Sequence, residues 1–91
     1  MSWEADFDSR ATRALEAFSA DLRLRVLKRV DWLVQNFDSA QHIELKEEWR
    51  GYYKLRVGDY RIAYRIDYAA HMVRVDYIDR RDKVYKRKGR K

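Results

Sequence analysis

The chain has 91 residues, with 21 lysines and arginines against 15 aspartates and glutamates, giving a formal net charge of +6 at pH 7. Its 46% hydrophobic and 14% aromatic content is too rich for a disordered chain, and the length leaves no room for a second core. With no cysteine, disulfide frameworks and thiolate metal sites are excluded. No run approaches the roughly 18 uninterrupted apolar residues of a spanning helix. The acidic start MSWEADFDSR also lacks the basic and apolar blocks of a secretory signal, so a cytoplasmic protein without membrane contact is expected.

From the N-terminus, Trp3-Glu4-Ala5-Asp6-Phe7 alternates apolar and charged, the period of a half-buried strand. The period then lengthens. Asp8 or Ser9 can cap a helix whose Ala14, Leu15 and Phe18 form one stripe, with Arg10, Arg13 and Glu16 outside it. After a break at Ser19-Ala20-Asp21, apolar residues at Leu22, Val26, Leu27, Val30, Leu33, Val34 and Phe37 close a single helical face. Arg23, Arg25, Lys28, Arg29 and Asp31 read as its wet face, and Trp32 at the stripe edge as a core or partner contact. A connection through His42, Ile43, Leu45 and Glu47-Glu48-Trp49-Arg50-Gly51 leads to three strands, Tyr52 to Val57, Tyr60 to Asp67 and Met72 to Asp79. The expected fold is α+β: an N-terminal strand, a two-helix hairpin, then an antiparallel three-strand meander, with the helices on one face of a small twisted sheet. Residues 1–85 form the domain and 86–91 a basic tail.

Charge is unevenly placed. Residues 1–45 hold 6 basic and 8 acidic side chains, residues 46–91 hold 15 and 7, which points the C-terminal half at a polyanion. Much of this is the tail Lys86-Arg87-Lys88-Gly89-Arg90-Lys91, a solvated segment. The informative part is the hairpin. Gly58-Asp59 between two alternating runs suits a type II′ turn, which pairs Val57 with Tyr60, Arg56 with Arg61, Leu55 with Ile62, Lys54 with Ala63, Tyr53 with Tyr64 and Tyr52 with Arg65. Leu55, Ile62, Tyr53, Tyr64 and Val57 then face the helices, while Lys54, Arg56, Arg61 and Arg65 face away. Like charges opposed across a ladder destabilise it by roughly 0.2–1 kcal/mol per pair, so this face is shaped for an anion. The alternative is that these cations splay into water or pair with Asp67, Asp76 or Asp79 of the last strand. Beyond it, Arg80, Arg81 and Tyr85 extend the cationic face toward a base-stacking tyrosine, or Tyr85 anchors the C-terminal segment to the core. No Asp/Glu cluster offers a metal site, and His42 and His71 lie too far apart to form a motif.

The segment Tyr53-Lys54-Leu55-Arg56-Val57-Gly58-Asp59-Tyr60-Arg61-Ile62-Ala63-Tyr64, followed by Asp79-Arg80-Arg81-Asp82-Lys83-Val84-Tyr85, resembles the RelE/ParE superfamily of toxins over nearly the whole chain. Its RelE branch comprises ribosome-dependent mRNA endonucleases, and its ParE branch inhibits DNA gyrase. The resemblance puts Lys54, Arg56, Arg61, Arg81 and Tyr85 at catalytic positions, with Arg65 and Arg80 as further RNA contacts. Arg56 departs from the lysine usual there. The ParE branch typically lacks the full set, so the resemblance implies the nuclease. It further implies 2′-hydroxyl attack on phosphate without metal or other cofactor, a cognate antitoxin, the ribosome and mRNA as partners, and contact with operator DNA only through the antitoxin. Trp32 and Trp49 are candidates for the antitoxin contact, or for core packing. A gyrase inhibitor and a non-catalytic RNA- or antitoxin-binding relic are the alternatives.

Overall fold

The computed structural model describes residues 2–80. In chain order it contains β1 (Glu4–Phe7), α1 (Ser9–Ala17), α2 (Ala20–Gln35), β2 (Ile43–Glu44), a 3₁₀ turn at Glu47–Trp49, β3 (Tyr53–Val57), β4 (Tyr60–Asp67) and β5 (Met72–Arg80). The sheet order is β1-β5-β4-β3-β2. β1 runs parallel to β5, with Glu4 beside Met72 and Phe7 beside Val75, and all other pairs are antiparallel. The expected α+β architecture holds, with one addition: the connection supplies a short fifth strand.

Local chemistry fixes the helix ends. The Asp8 carboxylate accepts from the Arg10 and Ala11 amides at 2.9 and 3.2 Å, capping α1, and the Ser19 hydroxyl accepts from the Leu22 amide to start α2. Arg23 differs from its expected wet position. Its guanidinium donates to the Leu15 and Phe18 carbonyls at 2.9 and 3.0 Å, closing the C-terminal end of α1.

The apolar stripes meet on one side of the sheet. Ala11 and Leu15 of α1 and Val26, Val30 and Leu33 of α2 pack with Leu55, Val57, Ile62, Tyr64, Val73 and Val75, all buried. Each such side chain contributes roughly 1.5–3 kcal/mol of apolar burial. Leu27, expected in that stripe, is 39% exposed because α2 is rolled toward Val26 and Val30. Trp3 stacks on Phe37 with centroids 3.8 Å apart, closing the end of the core. The hairpin register agrees with the sequence reading from Tyr53–Tyr64 through Val57–Tyr60. Tyr52, expected opposite Arg65, lies outside β3.

Gly58 holds φ +57°, and a Cβ there would lie 2.9 Å from Nη2 of Arg25. Replacing Gly58 with Ala is expected to lower the urea midpoint by the equivalent of about 1–2 kcal/mol. Truncating Arg25 in the same variant should recover only the steric part.

Candidate nucleic-acid interface

Alternation along β3 and β4 places Lys54, Arg56, Arg61, Ala63 and Arg65 on the face away from the helices. This face is not the open cationic surface that the pattern suggested. The segment before β3 folds over it, and Leu45, Trp49 and Ala63 form a second buried cluster with Tyr52 and Tyr77 against it. Trp49 meets Tyr52 and Tyr77 edge-on, at 5.3 and 5.1 Å between centroids. Only 4% exposed, Trp49 is core, which corrects its candidacy as a partner contact. Trp32 is 44% exposed and remains available.

Asp76 organises the middle of this face. Tyr64 pairs with Val75 but Ala63 pairs with Tyr77, so Asp76 is the extra residue of a β-bulge. It is only 2% exposed. Its Oδ2 accepts from the Arg65 Nε at 2.7 Å and from the Tyr52 hydroxyl at 2.8 Å. The Tyr52–Arg65 cross-strand pair expected from the sequence is thus replaced by convergence of both side chains on one carboxylate. Arg65, expected as an RNA contact, is committed to Asp76, whose hydrogen bond holds the guanidinium more firmly in its charged form. Arg74 likewise pairs with Asp6 and Asp67, at 2.8 and 3.2 Å.

Arg61 is 4% exposed and stands beside Asp79 in the β4–β5 register. Arg61 is buried while its ladder partner Arg56, on the same face, is exposed. Lys54 is half-buried, and Arg80 is exposed at the end of β5 beside Tyr60. Among the described residues no carboxylate pairs with Lys54, Arg56 or Arg80. The candidates Arg81 and Tyr85, and the tail 86–91, lie outside the described residues. Lys54 and Arg56, two residues apart on one strand, therefore form the accessible cationic pair, with Arg61 behind them.

The contact between Arg10 and Tyr77 on this face was not foreseen from the sequence. Arg10 lies 4.3 Å over the Tyr77 ring, donates to its hydroxyl and pairs with Asp8 at 2.6 Å, tying α1 to β5. The inward positions of β5 change from Val73 and Val75 to Ile78, a parity shift that marks the bulge and thus Asp76. His42 is a structural residue, its ring bonded to the Tyr64 hydroxyl at 2.7 Å and the Phe37 carbonyl at 2.9 Å. No group of three or more His, Cys, Asp or Glu that could hold a metal ion is gathered among the described residues.

The same fold occurs in solved toxins. The toxin–antitoxin complex RelBE2 of Mycobacterium tuberculosis matches with TM-score 0.78 at 24% identity, over 89% of this chain and 100% of that one. An arginine double mutant of the Escherichia coli toxin RelE, in the free state, matches with TM-score 0.75 at 20% identity, over 94% and 93%. The RelE–RelB complex of Pyrococcus horikoshii matches with TM-score 0.69 at 19% identity, over 89% and 97%. These likenesses define a RelE-like fold. No match is found among curated protein sequences. Residues 5–85 match the family described as the ParE toxin of type II toxin-antitoxin system, parDE. The chain belongs to that family of toxins, within the RelE/ParE superfamily.

The Tyr52 hydroxyl is pushed up from 10.0 to about 12, chiefly by burial and then by its hydrogen bond to Asp76. Below pH 10 it is protonated in both the folded and the unfolded chain. Between pH 10 and 12 only the unfolded chain ionises it, so stability falls as pH rises through that window. Burial also raises Tyr64, so Tyr52→Phe should flatten part of the alkaline decline in a series of urea melts. An unchanged slope would separate Tyr52 from Asp76.

Proposed function

We propose that this toxin is a ribosome-dependent mRNA endonuclease of the RelE kind, inhibiting translation, with an antitoxin as its cognate partner. The observation that carries the reading is the pair Lys54 and Arg56, held by β3 on the outer face with no carboxylate partner among the described residues. Arg61 lies across from Arg56 on the same face. Arg65 is placed there too but is committed to Asp76, which makes it a structural cation and leaves recognition to its neighbours.

In the proposed reaction the RNA 2′-oxygen attacks the adjacent 3′-phosphate and the bond to the 5′-oxygen breaks. The products are a 2′,3′-cyclic phosphate and a free 5′-hydroxyl. Negative charge grows on the phosphoryl oxygens, and cations already fixed in place stabilise it without reorganising. Arg56 and Arg61 fill that role, because a guanidinium keeps its proton. Lys54 donates to the 2′-oxygen and stabilises the negative charge that forms there as the hydroxyl proton passes to water. Arg81 donates a hydrogen bond to the leaving 5′-oxygen, which takes its proton from water, and Tyr85 stacks on a splayed base, both by resemblance of the motif. The ribosome presents the strand, so no deep groove is required of the toxin.

A second reading, gyrase inhibition, is favoured by the family match, which carries the ParE description. The two separate cleanly. Purified toxin added to mRNA-programmed ribosomes is expected to give new 5′ ends within the A-site codon, while gyrase supercoiling proceeds normally. Lys54→Ala/Arg56→Ala should lower cleavage by about 10³-fold or more while leaving the thermal melt near wild type, since neither side chain is fully buried. Stalled supercoiling without new 5′ ends would transfer the assignment to gyrase. Absence of both would leave a binding relic.

A further inference from the structure

Lys54 differs from the arginines beside it. Its ammonium ends a flexible four-carbon stem with none of the planar fork that pre-orients a guanidinium, so a fixed position must come from its surroundings. Those surroundings are unequal. On the outer face Lys54 stands in a row across the sheet, between exposed Ile43 and Ala63, with Tyr77 beyond Ala63. Ala63 is wholly buried in one cluster with Trp49 and Leu45. Tyr52 precedes Lys54 by two residues and shares its face. Lys54 is accordingly half-buried, a long apolar stem beside an aromatic wall.

The wall is tied to the sheet through Tyr52. Its amide donates to the Trp49 carbonyl at 3.0 Å and its carbonyl accepts from the Leu45 amide at 2.8 Å, while its hydroxyl donates to Asp76 Oδ2 at 2.8 Å. The rings of Trp49, Tyr52 and Tyr77 meet edge-on or tilted, with centroids 5.1, 5.3 and 6.0 Å apart. Such contacts tolerate sliding, whereas a hydrogen bond is directional. Asp76 cannot follow a sliding ring, since it is 2% exposed and both its oxygens accept from Arg65, at 2.7 and 3.3 Å.

We infer that Asp76 is a positioning residue for Lys54, acting through the Tyr52 hydroxyl to fix the aromatic wall along which the lysine stem runs. The ammonium then emerges at one place on the outer face, where charge forming on a bound anion meets it without rearrangement. The catalytic consequence rests on the endonuclease reading; the placement of Lys54 does not.

The test uses the full chain, pulse-acetylated with acetic anhydride and read lysine by lysine by mass spectrometry. Exposed Lys28 of α2 is the internal reference. Relative to it, Lys54 is expected to react slowly in wild type and about threefold faster or more in Tyr52→Phe, which removes only the hydroxyl. Asp76→Ala should match Tyr52→Phe. Asp76→Asn should stay close to wild type, because its amide oxygen can replace Oδ2 as acceptor while half-exposed Arg65 turns its other nitrogen to water. Should Asp76→Ala fail to fold, Tyr52→Phe against Asp76→Asn carries the comparison. On mRNA-programmed ribosomes Tyr52→Phe should lower kcat by about tenfold with KM little altered, and Asp76→Asn should keep most of that activity. An unchanged Lys54 rate in Tyr52→Phe overturns the inference, as does a rise shared by Lys28, which reports a loosened fold. So does Lys54 as reactive in Asp76→Asn as in Tyr52→Phe. Acetylation needs neither ribosomes nor RNA, so a misplaced Lys54 and an absent nuclease give different results.

Discussion

A carboxylate buried inside a small sheet is costly unless it is hydrogen-bonded and paired, and Asp76 meets that condition with Tyr52 on one side and Arg65 on the other. Much of the outer face follows from this. Tyr52 can reach Asp76 only because the segment before β3 crosses the sheet, which brings Trp49 over Ala63 and Tyr77. The bulge at Asp76 turns one acid inward without reversing the rest of β5. A strand that began as part of a simple meander thereby gains a polar centre on its second face and an aromatic cover above it.

The cover divides the cations. Arg65 and Arg74 are held by carboxylates of the sheet, Arg10 by Asp8 and Tyr77, and Arg23 by the end of α1. Lys54 and Arg56 lie outside these arrangements, as do Arg25, Lys28 and Arg29 of α2. The net charge of +6 is therefore a poor guide to where an anion is met, since much of it is neutralised locally or sits in the tail. Among the described residues, exposed cations of β3 and of the adjoining face of α2 meet where Arg29 donates to the Arg56 carbonyl.

What could be read from the sequence was what local chemistry decides. Asp8, one of the two caps the sequence offered for α1, is a short acceptor placed before an apolar period, and Gly58 fixed the hairpin register because one positive φ suffices for that turn. The outer face was harder because its partners are distant in sequence. Trp49, Ala63 and Tyr77 form a cluster only once three elements are assembled, although a small Ala63 amid large strand neighbours was a hint of something packed above it. Asp76 could be suspected as a counter-charge, but its burial depends on the bulge. The candidate site residues were named by motif, and their environments, Arg61 buried and Arg65 paired, came from the tertiary arrangement. β1 carries too few residues to reveal its partner strand.

That partner has a consequence for how the molecule comes into being. β1 completes the sheet by lying parallel to β5, so Glu4 must wait for Met72. Pairings across so long a stretch of sequence are slow, because the entropy of closing the intervening loop is lost before the contacts form. During synthesis the two helices and the β3–β4 hairpin can form early, yet the sheet cannot close until β5 has left the ribosome. The nascent chain therefore spends its translation with β1 unpaired and Asp76 not yet in place. It acquires a finished outer face only once β5 has emerged to supply both the partner of β1 and Asp76.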